Sequence, residues 1–254
     1  MEYWIWLSML PYIGPITANR LLEHFGHPLG VYHADITEFR YIKGMTQRQV
    51  QSITENRSLD RARRIMEECD RNHIFILAKS DIRYPDRAKW LEDAPAVLYY
   101  KGNLVEVKEP VAIVGARRCT QEEKQQAVIL AQQCVEKKQA VISGMAKGID
   151  SYAHTACLKA EGYTVAILGN GLDICYPSEH NKLMECIEQN GLLLSEYPPG
   201  TRPTQYTFPR RNQLISAWAE RIIVIAPGKG SGALITAEYG RKYGRAVEIV
   251  KCWG

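Results

Sequence analysis

The sequence predicts an α/β fold: a parallel sheet with helices on both faces, preceded by a small all-helical module. Three observations carry that prediction. Beyond Pro110, runs of Val, Ile and Leu alternate with helical segments. These runs are continuously apolar, as strands buried on both faces of a parallel sheet must be. Before residue 67 the chain instead reads as short helices separated by glycine turns. The expected organisation is a helical domain over residues 1–66 and an extended Rossmann-like domain over 67–254.

In the first part, helices are expected at Leu7–Leu10, Pro15–Phe25, Pro28–Tyr32 and Gln47–Glu55. Two segments share one outline. Leu10-Pro11-Tyr12-Ile13-Gly14-Pro15-Ile16 leads into Thr17–Leu22, and Tyr41-Ile42-Lys43-Gly44-Met45 leads into Thr46–Val50. An apolar residue, a glycine turn and a new helix form a helix-hairpin-helix outline, in which N–H groups opening the second helix can meet a phosphate. Helical modules of this size, the sterile-alpha-motif-like kind included, also serve as protein contacts, and both uses remain open.

A helix over Arg61–Asn72 then leads to an apolar run at His73–Leu77, a turn-rich Ser80–Pro85 and a strand at Ala96–Tyr100. The regular alternation follows. Strands are expected at Val111–Val114, Ala140–Ser143, Thr164–Leu168, Leu192–Ser195, Arg221–Ala226 and Ala246–Val250. Helices fill the intervals at Gln121–Lys138, Ile149–Glu161, Ser178–Gln189, Arg211–Ala219 and Gly232–Tyr243.

Composition bounds the class. With 254 residues, 46% hydrophobic and 24% charged, the chain can build a core, which excludes disorder, collagen-like repeats and coiled coil. No apolar run approaches the roughly 20 residues that span a bilayer. Glu2 and Pro11 interrupt any signal-peptide pattern, so a cytoplasmic location without membrane contact is expected. The seven cysteines form no Cys-x-x-Cys pair and read as free thiols in a reducing compartment; no structural zinc, other metal or cofactor is expected. A formal charge of +4 is too small to identify a nucleic-acid partner by itself.

In such a sheet, ligands bind beyond the carboxyl ends of the strands, so those loops hold the candidate residues. The first, Gly115-Ala116-Arg117-Arg118-Cys119-Thr120, has one glycine where a dinucleotide fingerprint needs three, which disfavours an NAD enzyme. It offers two arginines beside a helix start capped by Thr120. The second, Ser143-Gly144-Met145-Ala146-Lys147-Gly148-Ile149-Asp150, would let backbone N–H groups approach a phosphate, with Lys147 adding charge. Asp150 and His154 share one helix face and would suit an acid–base pair, although a carboxylate capping the helix with a histidine bonded to it is the preferred reading. The third, Leu168-Gly169-Asn170-Gly171-Leu172-Asp173, runs on to Tyr176 and Lys182, a possible stacking ring and a charge. The fourth interleaves Arg202, Arg210 and Arg211 with Tyr197, Tyr206 and Phe208, the mixture that suits single-stranded nucleic acid. The last, Ala226-Pro227-Gly228-Lys229-Gly230-Ser231-Gly232, is another glycine-rich turn before a helix.

Six motifs in order resemble the DNA-processing protein A (DprA/Smf) family. They are Gly115-x-Arg117; Ser143-Gly144-x-Ala146-x-Gly148-Ile149-Asp150-x-x-Ala153-His154; Leu168-Gly169-x-Gly171-Leu172-Asp173-x-x-Tyr176-Pro177; Leu194-Ser195-Glu196-Tyr197-Pro198-Pro199-Gly200; Phe208-Pro209-x-Arg211-Asn212; and Ser231-Gly232-x-Leu234-x-Thr236-Ala237. The resemblance covers roughly residues 5–250. It implies a protein without enzymatic turnover that binds single-stranded DNA during natural transformation, loads the RecA recombinase onto it and acts as a homodimer. Carried over by position, Arg117, Arg211 and Asn212 line the pocket and Phe208 is the stacking ring. Gly115, Ser143, Gly144, Gly148, Gly169 and Gly171 would shape its backbone, with Lys147, Lys182 and Arg210 as further cations.

Three departures stand out. Ala226-Pro227 replaces a usual Glu-Ala, and Gln213 and Ala217-Trp218 replace a basic and a small residue. The sequence stops at Lys251–Gly254, before a final helix and a winged-helix-like domain that many members carry, which predicts a weakened dimer. An alternative is a nucleotide phosphoribohydrolase or a nucleotide sensor, because Pro227–Gly232 looks like the Pro-Gly-Gly-x-Gly-Thr loop of such enzymes. Glu238 lies too far along its helix for their catalytic carboxylate.

Overall fold

The computed structural model describes residues 1–228 and 230–250; Lys229 of the last loop and the expectations on residues 251–254 lie outside them. The chain divides into two compact units, Met1–Leu98 and Tyr99–Gly254.

The first unit holds α1 (Glu2–Met9), α2 (Pro15–Phe25), α3 (Pro28–His33), a 3-10 turn (Glu38–Tyr41), α4 (Gln47–Glu55), α5 (Asp60–Arg71), β1 (Phe75–Ala78) and α6 (Asp86–Lys89). Its core is Ile5, Leu7, Leu21, Val31, Phe39 and Ile53. Four consecutive residues of α1, Trp4 to Leu7, are buried, so this helix lacks the one-sided pattern that reveals a helix in sequence. That is why it starts five residues before the expected Leu7. Pro15 opens α2, where its missing N–H costs nothing, and Gly26 at φ +73° closes it. Thr46 and Gln49 cap α4 reciprocally.

The expected boundary at 66/67 falls inside α5. Residues 67–98 instead pack with the helices, for reasons visible in the hydrogen bonds. Buried Asn19 on α2 donates to the carbonyls of Glu92 and Ala94 and accepts from Lys79, which ties the turn-rich segment to the helical unit.

In the second unit, β2 (Val97–Gly102), whose first two residues belong to the helical unit, precedes β3 (Val111–Gly115), α7 (Gln121–Glu136), β4 (Val141–Ser143), α8 (Ile149–Lys159) and β5 (Thr164–Leu168). Next come α9 (Asn181–Asn190), β6 (Leu192–Ser195), α10 (Thr207–Trp218), β7 (Arg221–Ile225), α11 (Gly232–Lys242) and β8 (Ala246–Val250). The strand order is β1-β2-β6-β5-β4-β3-β7-β8. Pairings from β6 across to β8 are parallel, and β2 runs antiparallel to β6. Parallel strands need crossovers, and right-handed crossovers that step in opposite directions from β3 put α7, α8 and α9 on one face and α10 and α11 on the other. The contacts agree: α7 packs on α8, α8 on α9, and α10 on α11. Val111, Ile113, Val141, Ile223 and Ile225 meet Ala127, Ala131, Ala153 and Ala156 in the core beneath α7 and α8.

The α10 helix begins at Thr207, not Arg211. Pro209 stands in its first turn, where a residue's N–H would have no intrahelical partner anyway. No helix among the described residues is long and apolar enough to cross a membrane, and none of their His, Cys, Asp and Glu side chains form a group of three that could hold a metal.

Candidate functional site

The chain leaves β3 for β4 on one side and reaches β7 on the other, so the strand order reverses between β3 and β7 and opens a crevice at their carboxyl ends. A recess of about 310 Å³ lies there, lined by Gly115, Arg117, Asp150, Arg211, Asn212 and the start of α11 among others. A smaller one of about 60 Å³ adjoins it, between Arg117, Gly144, Lys147, Gly169, Phe208 and Arg211, with Tyr176 on its wall. Arg117 and Arg211 border both.

These two arginines differ in kind. Arg211 is buried at 6% exposure. Its Nη1 donates to the carbonyls of Gly144 and, at 3.0 Å, Ile167, and its Nε donates to Asn212 Oδ1. One guanidinium thus fastens the ends of β4 and β5 to α10. Asp150, opposite it, accepts from the N–H groups of Gly144 at 3.1 Å and Ala146 at 3.3 Å. Burial pushes its carboxyl upward, while Arg211 and these N–H groups pull it back. Burial, chiefly, lowers Arg211, while Asp150 holds it charged. Arg117, by contrast, is exposed and forms no ion pair among the described residues. Its guanidinium carbon lies 5.6 Å from the centre of the Phe208 ring, and that of Arg211 lies 5.7 Å from it. Two cations thus lie near the Phe208 ring, and the Tyr176 ring leans on it at 5.6 Å.

The glycines serve the protein's own packing more than an open cradle. A Cβ on Gly144 would fall 2.5 Å from the Arg211 guanidinium carbon. Gly148, at φ +79°, is pressed against the carbonyls of Ala116 and Arg117, and so holds the Arg117 loop from below. Gly115 is crowded by Ile225 and Ile149, Gly169 by Phe208, and Gly171 by Asp173 and Pro198.

The other expected residues are placed as follows. Ser143 is fully buried and its hydroxyl donates to the Ile113 carbonyl, so it braces β3 against β4 beneath the recess. Asn212 reaches the recess while its amide donates to Gly232, tying α10 to α11. Lys147 lies at the edge, paired with Glu179 at 2.6 Å. Arg210 turns away to Glu196 at 2.7 Å and Gln213. Lys182 lines a separate groove between α8 and α9. Arg117 is therefore the exposed cation of the site with no carboxylate partner among the described residues.

The family model for DNA recombination-mediator protein A matches residues 75–253. The chain belongs to that family. Protein Smf of Synechocystis is 34% identical to it over 251 residues, covering 96% of this chain and 63% of its own. DNA processing protein DprA of Streptococcus pneumoniae is 41% identical over 165 residues, covering 65% of this chain and 58% of its own. The chain thus spans less than two thirds of the length of these relatives. The X-ray structure of the pneumococcal DprA superposes with a TM-score of 0.84 at 30% identity, over 98% of this chain and 86% of that one. A Helicobacter pylori DNA processing protein A, described for its unique single-stranded DNA binding mode, superposes with a TM-score of 0.64 at 31% identity, over 69% of this chain and 80% of that one.

Within this DprA-family site, Asp150 and His154 do not form the bonded pair that the sequence suggested. His154 Nδ1 pairs with Thr164 Oγ1 at 2.7 Å, and its Nε2 has no partner among the described residues. Sequence reasoning missed this because Thr164, on β5, is the neighbour that decides it. Burial, with Arg211 and His180 nearby, pushes the His154 pKa down to about 3. The ordinary value is about 6.5, so a neutral imidazole must gain a proton on unfolding as the pH falls below it. Stability held above pH 6.5 is lost on the way to pH 3, by about 2 kcal/mol between pH 7 and pH 5. Urea unfolding at both values is expected to read that loss, and His154→Gln is expected to reduce it; an unchanged pH slope in the variant would refute the assignment.

Sequence reasoning also missed Asn170. Buried at the end of β5, it donates to the Gly171 and Ile174 carbonyls, and its own carbonyl accepts from Ser195 Oγ, which shapes the loop carrying Tyr176.

Proposed function

We propose that the carboxyl edge of this sheet binds single-stranded DNA, with Arg117 meeting a phosphate and Phe208 and Tyr176 meeting bases. The observation that carries the reading is the unpaired Arg117 guanidinium over a half-buried aromatic ring, at the crevice where the strand order reverses. A cation beside stackable rings tolerates any base sequence. The DNA-binding Helicobacter relative and the family membership support it. We further propose, on the same family relationship, that the protein processes DNA in transformation as a cytoplasmic homodimer that hands the strand to RecA. The site is read as a binding site without turnover: Asp150 accepts from the Gly144 and Ala146 N–H groups and faces Arg211, and His154 is buried on Thr164. Incubation with AMP is expected to release no adenine.

Fluorescence-anisotropy titration of a labelled oligothymidylate tests the main claim. Affinity should fall with salt with a log–log slope of about 0.7 per phosphate contacted. Phe208→Leu should weaken binding by about 1–3 kcal/mol, the stacking of one base. A flat salt response, or equal affinity for duplex, would overturn the reading.

A further inference from the structure

We propose that the helical unit carries a second single-strand binding surface, built on its two glycine hairpins. The first hairpin presents Tyr12, 59% exposed, with the Arg48 guanidinium 4.4 Å over its ring. A stacked guanidinium is held in place and so is preorganised to meet a phosphate. The second hairpin presents Tyr41, 81% exposed, next to Lys43. Both rings leave apolar area in solvent.

The two hairpins form one surface. Gln49 Nε2 donates to the Tyr12 carbonyl at 3.2 Å and to Thr17 Oγ1 at 3.1 Å, joining the first turn to α4 and α2. Arg20 stands one helical turn beyond Thr17 on the same face. Its Nη1 lies so near the second turn that a Cβ on Gly44 would be 2.9 Å from it. A groove of about 640 Å³ runs there between Arg20, His24, Tyr41 and Lys43, with Glu23 as its carboxylate. Arg20 is partly engaged by Glu92 at 3.5 Å, whereas Lys43 and Arg48 are exposed and in no ion pair among the described residues. Cations without an ion pair, each set beside an exposed ring, match a strand that offers phosphates and unstacked bases together. A duplex offers phosphates but keeps its bases stacked away from such rings, which commits the surface to a single strand.

The test uses the full chain, labelled strands of about 6 and about 30 thymidines, and a duplex of the longer length. The double variant Lys43→Glu, Arg48→Glu should lower affinity for the long strand about tenfold and its salt slope by about 1.4, two phosphates' worth, and leave the short strand bound by the sheet edge nearly unaffected. An unchanged long-strand affinity overturns this inference, even if Arg117→Ala abolishes short-strand binding and so upholds the sheet-edge reading. Loss in the double variant with none in Arg117→Ala upholds this surface and overturns the other. A loss confined to duplex overturns the single-strand assignment. Should the variant unfold, photocrosslinking of the unaltered protein to an iododeoxyuridine strand gives the answer directly: adducts are expected on Tyr41 and Tyr12, and their absence refutes the surface.

Discussion

Arg211→Ala is expected to destabilise the α/β unit by roughly 3–5 kcal/mol, a large share of what a domain possesses. The carbonyls of Gly144 and Ile167 would lose their donor, and Asp150 would keep a buried carboxylate without its countercharge. A cavity beneath Phe208 adds to the cost. Urea denaturation measures the effect. Arg211→Lys should recover only part of it, because an ammonium cannot reach two carbonyls and Asn212 at once. A variant as stable as the parent would mean that the guanidinium is no brace. Where the variant is destabilised as expected, its loss of DNA binding reflects a collapsed edge and not one missing phosphate contact.

Arg117→Ala is expected to behave in the opposite way. Its side chain is exposed and makes no hydrogen bond or ion pair among the described residues, so the unfolding free energy should stay within about 0.5 kcal/mol of the parent. Affinity for single-stranded DNA should fall about tenfold or more, equally for all sequences, and the salt slope should drop by about 0.7. Unaltered affinity would remove the site from the sheet edge. The two arginines are thus separable by measuring stability and binding on the same preparations.

Much of this was legible in the sequence. The strands from Val111 onward announce themselves by apolar runs, and the Gly115-x-Arg117 and Phe208-Pro209-x-Arg211-Asn212 motifs lead to the crevice. What sequence could not give is which cations are spent. Arg210 and Arg211 are neighbours and chemically identical, yet one makes a partly buried pair with Glu196 and the other is buried beside Phe208. Partners contributed by distant segments, such as Glu179 for Lys147, decide such outcomes. The glycines illustrate the same limit: Gly144 reads as room for a phosphate and turns out to be room for Arg211. The start of α1 was hidden because four consecutive buried residues, Trp4 to Leu7, show no periodic face to detect.

The burial of Arg211 beneath Phe208 also divides the timing of encounters at this edge. Mobile ions gather around Arg117 and weaken its pull over a distance of about 8–10 Å, so salt acts on how quickly a strand arrives. Arg211 is buried at 6% exposure and faces Asp150, so mobile ions gather around it far less than around Arg117. On the proposed single-strand reading, arrival should therefore slow as salt rises while residence, to the extent that Arg211 governs it, changes less, and a captured strand would stay held under ionic conditions that make new captures rare.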